Sequence, residues 1–173
     1  RMIVYKDDLS FRRIANVPKR NLGVRRMKFL EEYTEHHGGT LYDALVKNLE
    51  HEIFRGTKAR EFVALIEKYA TIYAERTISE VLTSILHESG YEKLLRTEGA
   101  QDRLDNLAEL KQAVFSFETS AGEETDLEAY LKSVAMLSNM DIADSHDRVK
   151  LMTVHTAKGL EFPYVFLCSM SEG

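Results

Sequence analysis

The sequence has little of what small secreted, metal-bound or membrane proteins depend on. Its 173 residues hold one cysteine, Cys168, which excludes an internal disulfide framework and a cysteine-based zinc site. No run of 18 apolar residues is present, so no membrane span is expected. The first residues, Arg1 to Asp8, are too short and too charged a stretch for a signal peptide. There is no internal repeat and no low-complexity tract. The phosphate-binding pattern G-x-x-x-x-G-K-[ST] is also missing. A reducing, cytoplasmic compartment is the expectation. Hydrophobic residues make up 44% and charged residues 29%, a globular balance that argues against disorder throughout the chain.

Charge is abundant but unevenly placed. The net charge is −5, yet residues 1–28 carry nine Lys/Arg against Asp7 and Asp8, a local balance of +7 that leaves −12 for the rest. A basic end on an acidic body points to a directed contact with a polyanion, or simply to a solvated face.

The middle of the chain reads as amphipathic helices. One runs from near Leu22 to Gly38-Gly39, and Thr40 caps a shorter one through Leu49. A long helix from about Thr57 to Glu75 aligns Phe62, Ile66, Tyr69 and Tyr73. Thr77-Ile78-Ser79-Glu80 is a capping box, and Gly90 is a stop. A helix from Ala100 to Glu118 presents Leu104, Leu107, Lys111, Val114 and Phe117. A second capping box, Thr125 to Glu128, opens a helix with Leu127, Tyr130, Leu131, Val134 and Leu137 inward. No stripe can bury itself, so the helices are expected to form one bundle. After Asp147 the character changes. Val149–Val154 and Tyr164–Cys168 are expected strands, too few for a sheet of their own. The chain therefore reads as a piece of something larger, as its abrupt start also suggests.

Two segments carry chemistry. In Asn16-Val17-Pro18-Lys19-Arg20-Asn21-Leu22-Gly23-Val24-Arg25, Pro18 ends a helix, Leu22 can plug a core, and Asn21 and Gly23 permit tight backbone geometry. Cations beside the amides of the next helix make a phosphate site; an ordinary helical corner with surface charge is the other reading. In Leu151–Phe162, a strand would deliver Thr153, His155, Thr156, Lys158 and Glu161 to one turn, with Gly159 allowing close approach of a ligand. His36-His37 lacks a third metal ligand, no metal site is expected, and nucleophilic catalysis finds no support.

These residues resemble a known family. Asp7–Gly23, Gly90–Leu95, Arg103–Leu110 and above all Val149–Leu167 are similar to the UvrD/PcrA/Rep DNA helicases of superfamily 1A, the last segment matching their motif V. The resemblance implies a mainly α chain: a multi-helix bundle, the helical insert 2B, with short C-terminal β segments of an incomplete RecA-like motor domain. It implies stubs of that motor domain at residues 1–16 and 148–173 around an insert at 17–147, with hinges near Asn16–Pro18 and Asp144–Val149. It implies duplex DNA contact by Lys19, Arg20, Asn21, Leu22, Gly23 and Arg25, although Asn21-Leu22-Gly23 stands where relatives usually have Gly-Ile-Gly. It implies single-stranded DNA contact by Thr153, His155 and Thr156, the last replacing a common Ser, and nucleotide contact by Lys158, Gly159 and Glu161. ATP and Mg²⁺ belong to the parent, an ATP-dependent 3′–5′ helicase of repair or replication. This chain, without Walker motifs or a catalytic residue, is expected to bind neither cofactor alone and to be inactive. Expected partners are DNA, the remaining motor domains and a repair or transcription protein. The alternative is a self-contained duplex-binding or protein-interaction module; a helicase–nuclease subunit also shares motif V.

Overall fold

Helix ends leave four amides and four carbonyls unsatisfied, and the chain meets this demand largely with its own side chains. The computed structural model describes residues 1–121, 125–143, 149 and 151–168. Among these, ten α-helices occur: α1 (Met2–Tyr5), α2 (Asp8–Ile14), α3 (Val24–His37), α4 (Leu41–Lys47), α5 (Ala59–Ile72), α6 (Ile78–Glu88), α7 (Tyr91–Glu98), α8 (Gln101–Ala121), α9 (Leu127–Ala143) and α10 (Val154–Ala157). Short 3₁₀ turns precede and follow α5, at Glu52–Phe54 and Tyr73–Glu75.

Side-chain caps explain about half of the α-helix starts. Asp7 accepts from the Ser10 amide at 2.9 Å. Thr40 and Asp43 form a reciprocal box at α4, and Thr77 and Glu80 form the expected one at α6. The box expected at Thr125 is displaced by one residue. Asp126 accepts from the Ala129 amide at 2.6 Å, while Glu128 accepts instead from the Tyr73 hydroxyl at 3.2 Å, tying α9 to the end of α5.

The main core gathers α1 to α5 around Phe11, Leu22, Leu30, Leu41, Tyr42, Leu45, Phe62, Ile66 and Tyr69. The stripe expected on α5 is the face that enters it. α6 supplies Val81 to this core; it also packs with α7 and α8, and Ile78, Leu86, Leu95 and Val114 of these three helices are buried outside the main core. Glu88 links the two halves, accepting from Lys68 and from the Tyr69 hydroxyl. α9 is less covered: Leu127, Tyr130 and Leu131 are half-buried, Val134 is exposed, and the Leu137 side chain lies outside the described residues.

The core runs across residue 16. Met2, Ile3, Phe11 and Ala15 belong to it, although residues 1–16 are expected from resemblance to be a stub of another domain. Asn16–Pro18, the first expected hinge, is bracketed by buried Ala15 and Leu22. Of the second, only Val149 is described. Between α1 and α2, Lys6 adopts a left-handed conformation (φ 48°) and donates to Glu67 on α5 at 2.8 Å, where the Tyr42 hydroxyl donates at 2.7 Å.

The expected C-terminal strands are absent among the described residues. Leu151–Thr153 is irregular, Val154–Ala157 is a helical turn, and Tyr164–Cys168 pairs with nothing described. A strand needs neighbouring amides and carbonyls, and the described chain supplies none.

The packing can be tested by substitution and by acid. Phe11→Ala should lower unfolding free energy by about 3–5 kcal/mol, because a buried ring beside Tyr42 and Phe62 leaves a cavity; urea unfolding reads this, and a near-zero effect would mean α2 is not part of the core. The acid test rests on two carboxylates. Amide and hydroxyl donation from Thr40 lowers the Asp43 pKa, and donation from Lys6 and then Tyr42 lowers that of Glu67. Both groups stabilise the fold above their ordinary values, 3.8 and 4.5, and lose that contribution as pH falls through their lowered folded values. Tm should be steady above about pH 5 and fall below it, with a shallower fall in Glu67→Gln; a Tm unchanged down to about pH 3 would contradict this.

Candidate functional site

The basic segment folds into a corner between α2 and α3. Asn16 organises it: its side-chain oxygen accepts from the amides of Arg20 and Leu22, both at 3.0 Å. Asn21 takes the left-handed conformation (φ 58°), which its side chain tolerates, and the Val17–Pro18 peptide is cis. Leu22 plugs the core at 2% exposure. Gly23 starts α3 with no side chain to cap it, so the first amides of this 14-residue helix have no side-chain acceptor from the cap.

The six residues singled out in this corner separate into two sets. Lys19, Asn21 and Arg25 are exposed and Gly23 is half-exposed, whereas Leu22 and Arg20 are buried. The Arg20 guanidinium points inward and donates to the carbonyls of Ile14 (2.9 Å), Ala15 (3.3 Å), Val17 (3.0 Å) and Pro18 (3.3 Å). Burial pulls its pKa below the usual arginine value, partly offset by the charge of Glu61.

A second corner, not singled out in the sequence, docks on the first. It joins α4 to α5 and uses similar parts in a different order: an apolar plug, Phe54, then a left-handed residue, Gly56 (φ 73°), and then the start of a 14-residue helix. Three hydrogen bonds join the corners. The Lys58 amide donates to the Arg20 carbonyl at 3.0 Å, Asn21 Nδ2 to the Gly56 carbonyl at 3.3 Å, and Arg26 Nε to the Ile53 carbonyl at 2.7 Å. Arg55 and Lys58 are exposed here. The signal was in the sequence: Arg55-Gly56-Thr57-Lys58 sets a glycine among cations just before a helical stripe, as Lys19–Gly23 does.

Most basic side chains near this surface are engaged elsewhere. Arg12 pairs with Glu31, Lys28 with Glu32 and Arg60 with Glu50. Lys19, Arg25, Arg55 and Lys58 pair with no described carboxylate. The joined corners thus offer four exposed cations, two helix starts and tight backbone.

The C-terminal candidates lie on one turn, apart from the corners. Thr153 caps α10, accepting from the Thr156 amide at 3.2 Å, and the two hydroxyls are 2.8 Å apart. His155, Lys158, Gly159 and Glu161 are exposed, and Gly159 has φ 86°. Among the described residues, no hydrogen bond joins this turn to the helical body. As a donor set it suits one edge of a nucleotide: a cation for phosphate, a glycine for close approach, a carboxylate for a sugar hydroxyl. Among the described residues, no group of three His, Cys, Asp or Glu is placed to hold a metal ion.

The helical body with paired corners and the C-terminal turn define a class. The whole chain, residues 1–173, matches the model of the UvrD-like helicase C-terminal domain, and the chain belongs to that family. Among its relatives, the ATP-dependent DNA helicase PcrA of Bacillus subtilis (strain 168) is 33% identical over 183 residues, covering 96% of this chain and 24% of the relative. PcrA proteins of Staphylococcus epidermidis and Staphylococcus aureus are each 32% identical, with the same coverage. The chain thus spans about a quarter of the length of the curated relatives it matches. No helix among the described residues is long and apolar enough to cross a membrane.

Proposed function

We propose that this chain is the duplex-gripping and regulatory part of an ATP-dependent 3′–5′ DNA helicase acting in repair or replication. The observation that carries the reading is the junction of two helical corners bearing Lys19, Arg25, Arg55 and Lys58, all exposed and free of carboxylate partners among the described residues. Unpaired cations release counterions when they meet phosphates. Backbone amides at the starts of α3 and α5 add uncharged donors to phosphate oxygens. Contacts of these kinds track the phosphate backbone rather than the sequence.

In this reading α2 moves with the insert, since Phe11 and Ala15 lie in its core, and the insert swivels against the motor domains. The C-terminal stretch belongs to the second motor domain. Val149, Leu151, Tyr164 and Phe166 are each 86–94% exposed, which suits strands that pair within a larger sheet. Thr153, His155 and Thr156 face single-stranded DNA, and Lys158, Gly159 and Glu161 face one edge of ATP. The nucleotide and its Mg²⁺ supply the phosphoryl chemistry when bound; this chain orients the DNA and relays its position. A repair or transcription protein is the expected further partner, on the acidic remainder.

A salt series with fluorescent duplex and single-stranded DNA tests the proposal. Log K for duplex should fall linearly with log salt, and Lys19→Ala with Arg25→Ala should reduce the slope by about 0.9 for each phosphate that is no longer neutralised. Arg55→Ala with Lys58→Ala should do the same. Unchanged slope and affinity in both double variants would remove the corners from the DNA contact.

A further inference from the structure

We infer that Arg20 is a positioning residue that holds the two corners in register, and not a side chain that touches DNA. The inference rests on the reading of the corners as the duplex contact. Arg20 is fastened through its amide, its carbonyl and one guanidinium nitrogen. Its amide donates to Asn16 Oδ1, its carbonyl accepts from the Lys58 amide of the second corner, and its Nη1 converges on four carbonyls of residues 14–18. Its guanidinium also lies 4.9 Å from the Phe62 ring centroid, so an apolar floor holds the cation against the loop.

The placement answers a local need. α2 ends at Ile14, and its last carbonyls carry the negative end of the helix dipole; the Val17 amide donates to that of Ile14, but no continuing helix donates to the rest. A guanidinium is planar, permanently charged and rich in donors, so it can bind several such oxygens at once. With an exposure of 8%, little of Arg20 is left for a phosphate. Its fixed backbone in turn sends Lys19 and Asn21, its neighbours on either side, to the surface, and its carbonyl brings Lys58 beside them. A lysine ammonium is a compact, more strongly hydrated point charge, costlier to bury here and without a planar face to set against the Phe62 ring.

Arg20→Lys and Arg20→Gln in the full chain separate the two roles. Each should weaken duplex binding about ten-fold, while leaving the slope of log K against log salt unchanged. In the DNA-free chain, both should speed amide hydrogen exchange across residues 15–23 and at Lys58, with the α6–α8 amides unaffected. Arg20→Lys binding duplex as tightly as the parent chain would overturn the inference. So would Arg20→Gln lowering the slope by about 0.9 with exchange unchanged, since that marks a phosphate contact. If Arg20→Gln fails to fold, Arg20→Lys decides alone. If the Lys19/Arg25 and the Arg55/Lys58 double variants both leave affinity and slope intact, the duplex reading fails, and the exchange measurement still tests the clamp.

Discussion

The fold depends on how the chain satisfies backbone groups where helices meet. Each corner exposes carbonyls from the helix before and amides from the helix after, and a buried orphan of either kind is costly. At the first corner Asn16 accepts from the loop amides of Arg20 and Leu22, and the Arg20 guanidinium donates to carbonyls at the end of α2 and in the loop. With those groups answered inside, Leu22 can enter the core and the start of α3 can face outward. The second corner uses similar parts in a different order and is bonded to the first through the Arg20 carbonyl and the Asn21 side chain. That junction brings the corner bearing Lys19 and Arg25 against the corner bearing Arg55 and Lys58.

This division of labour explains why a mostly acidic chain carries a local positive face. Many of its cations are drawn into ion pairs that link neighbouring elements, as Lys6 with Glu67, Lys68 with Glu88 and Lys111 with Glu92 do. Exposed pairs of this kind add little stability, but they neutralise charge over the body. The cations left unpaired at the corners then stand out against it, which favours steering of a polyanion toward one side.

Local chemistry made much of this legible in the sequence. The capping box of Thr77 and Glu80, the stripe of Phe62, Ile66 and Tyr69, and the apolar plug at Leu22 follow from periodicity and short-range donors, and the structure contains each. The cap before α9 shifted to Asp126 because Glu128 found a tertiary partner in Tyr73, which no local pattern announces. Arg20 looked like the cations beside it; only packing shows which one turns inward. The C-terminal strands were read from β-rich composition, but a strand is a pairing and not a property of one segment. The second corner is hard to read because a helix expected from Thr57 absorbs its lysine and leaves Gly56 in the preceding loop.

That two corners form one duplex-binding surface is the central claim. Amide chemical shifts of the labelled chain, followed during titration with a short DNA duplex, test it most directly. Perturbations are expected at Lys19–Arg26 and at Arg55–Glu61 together, with one shared dissociation constant. Perturbations confined to the Thr153–Glu161 turn, or to either corner alone, would contradict it.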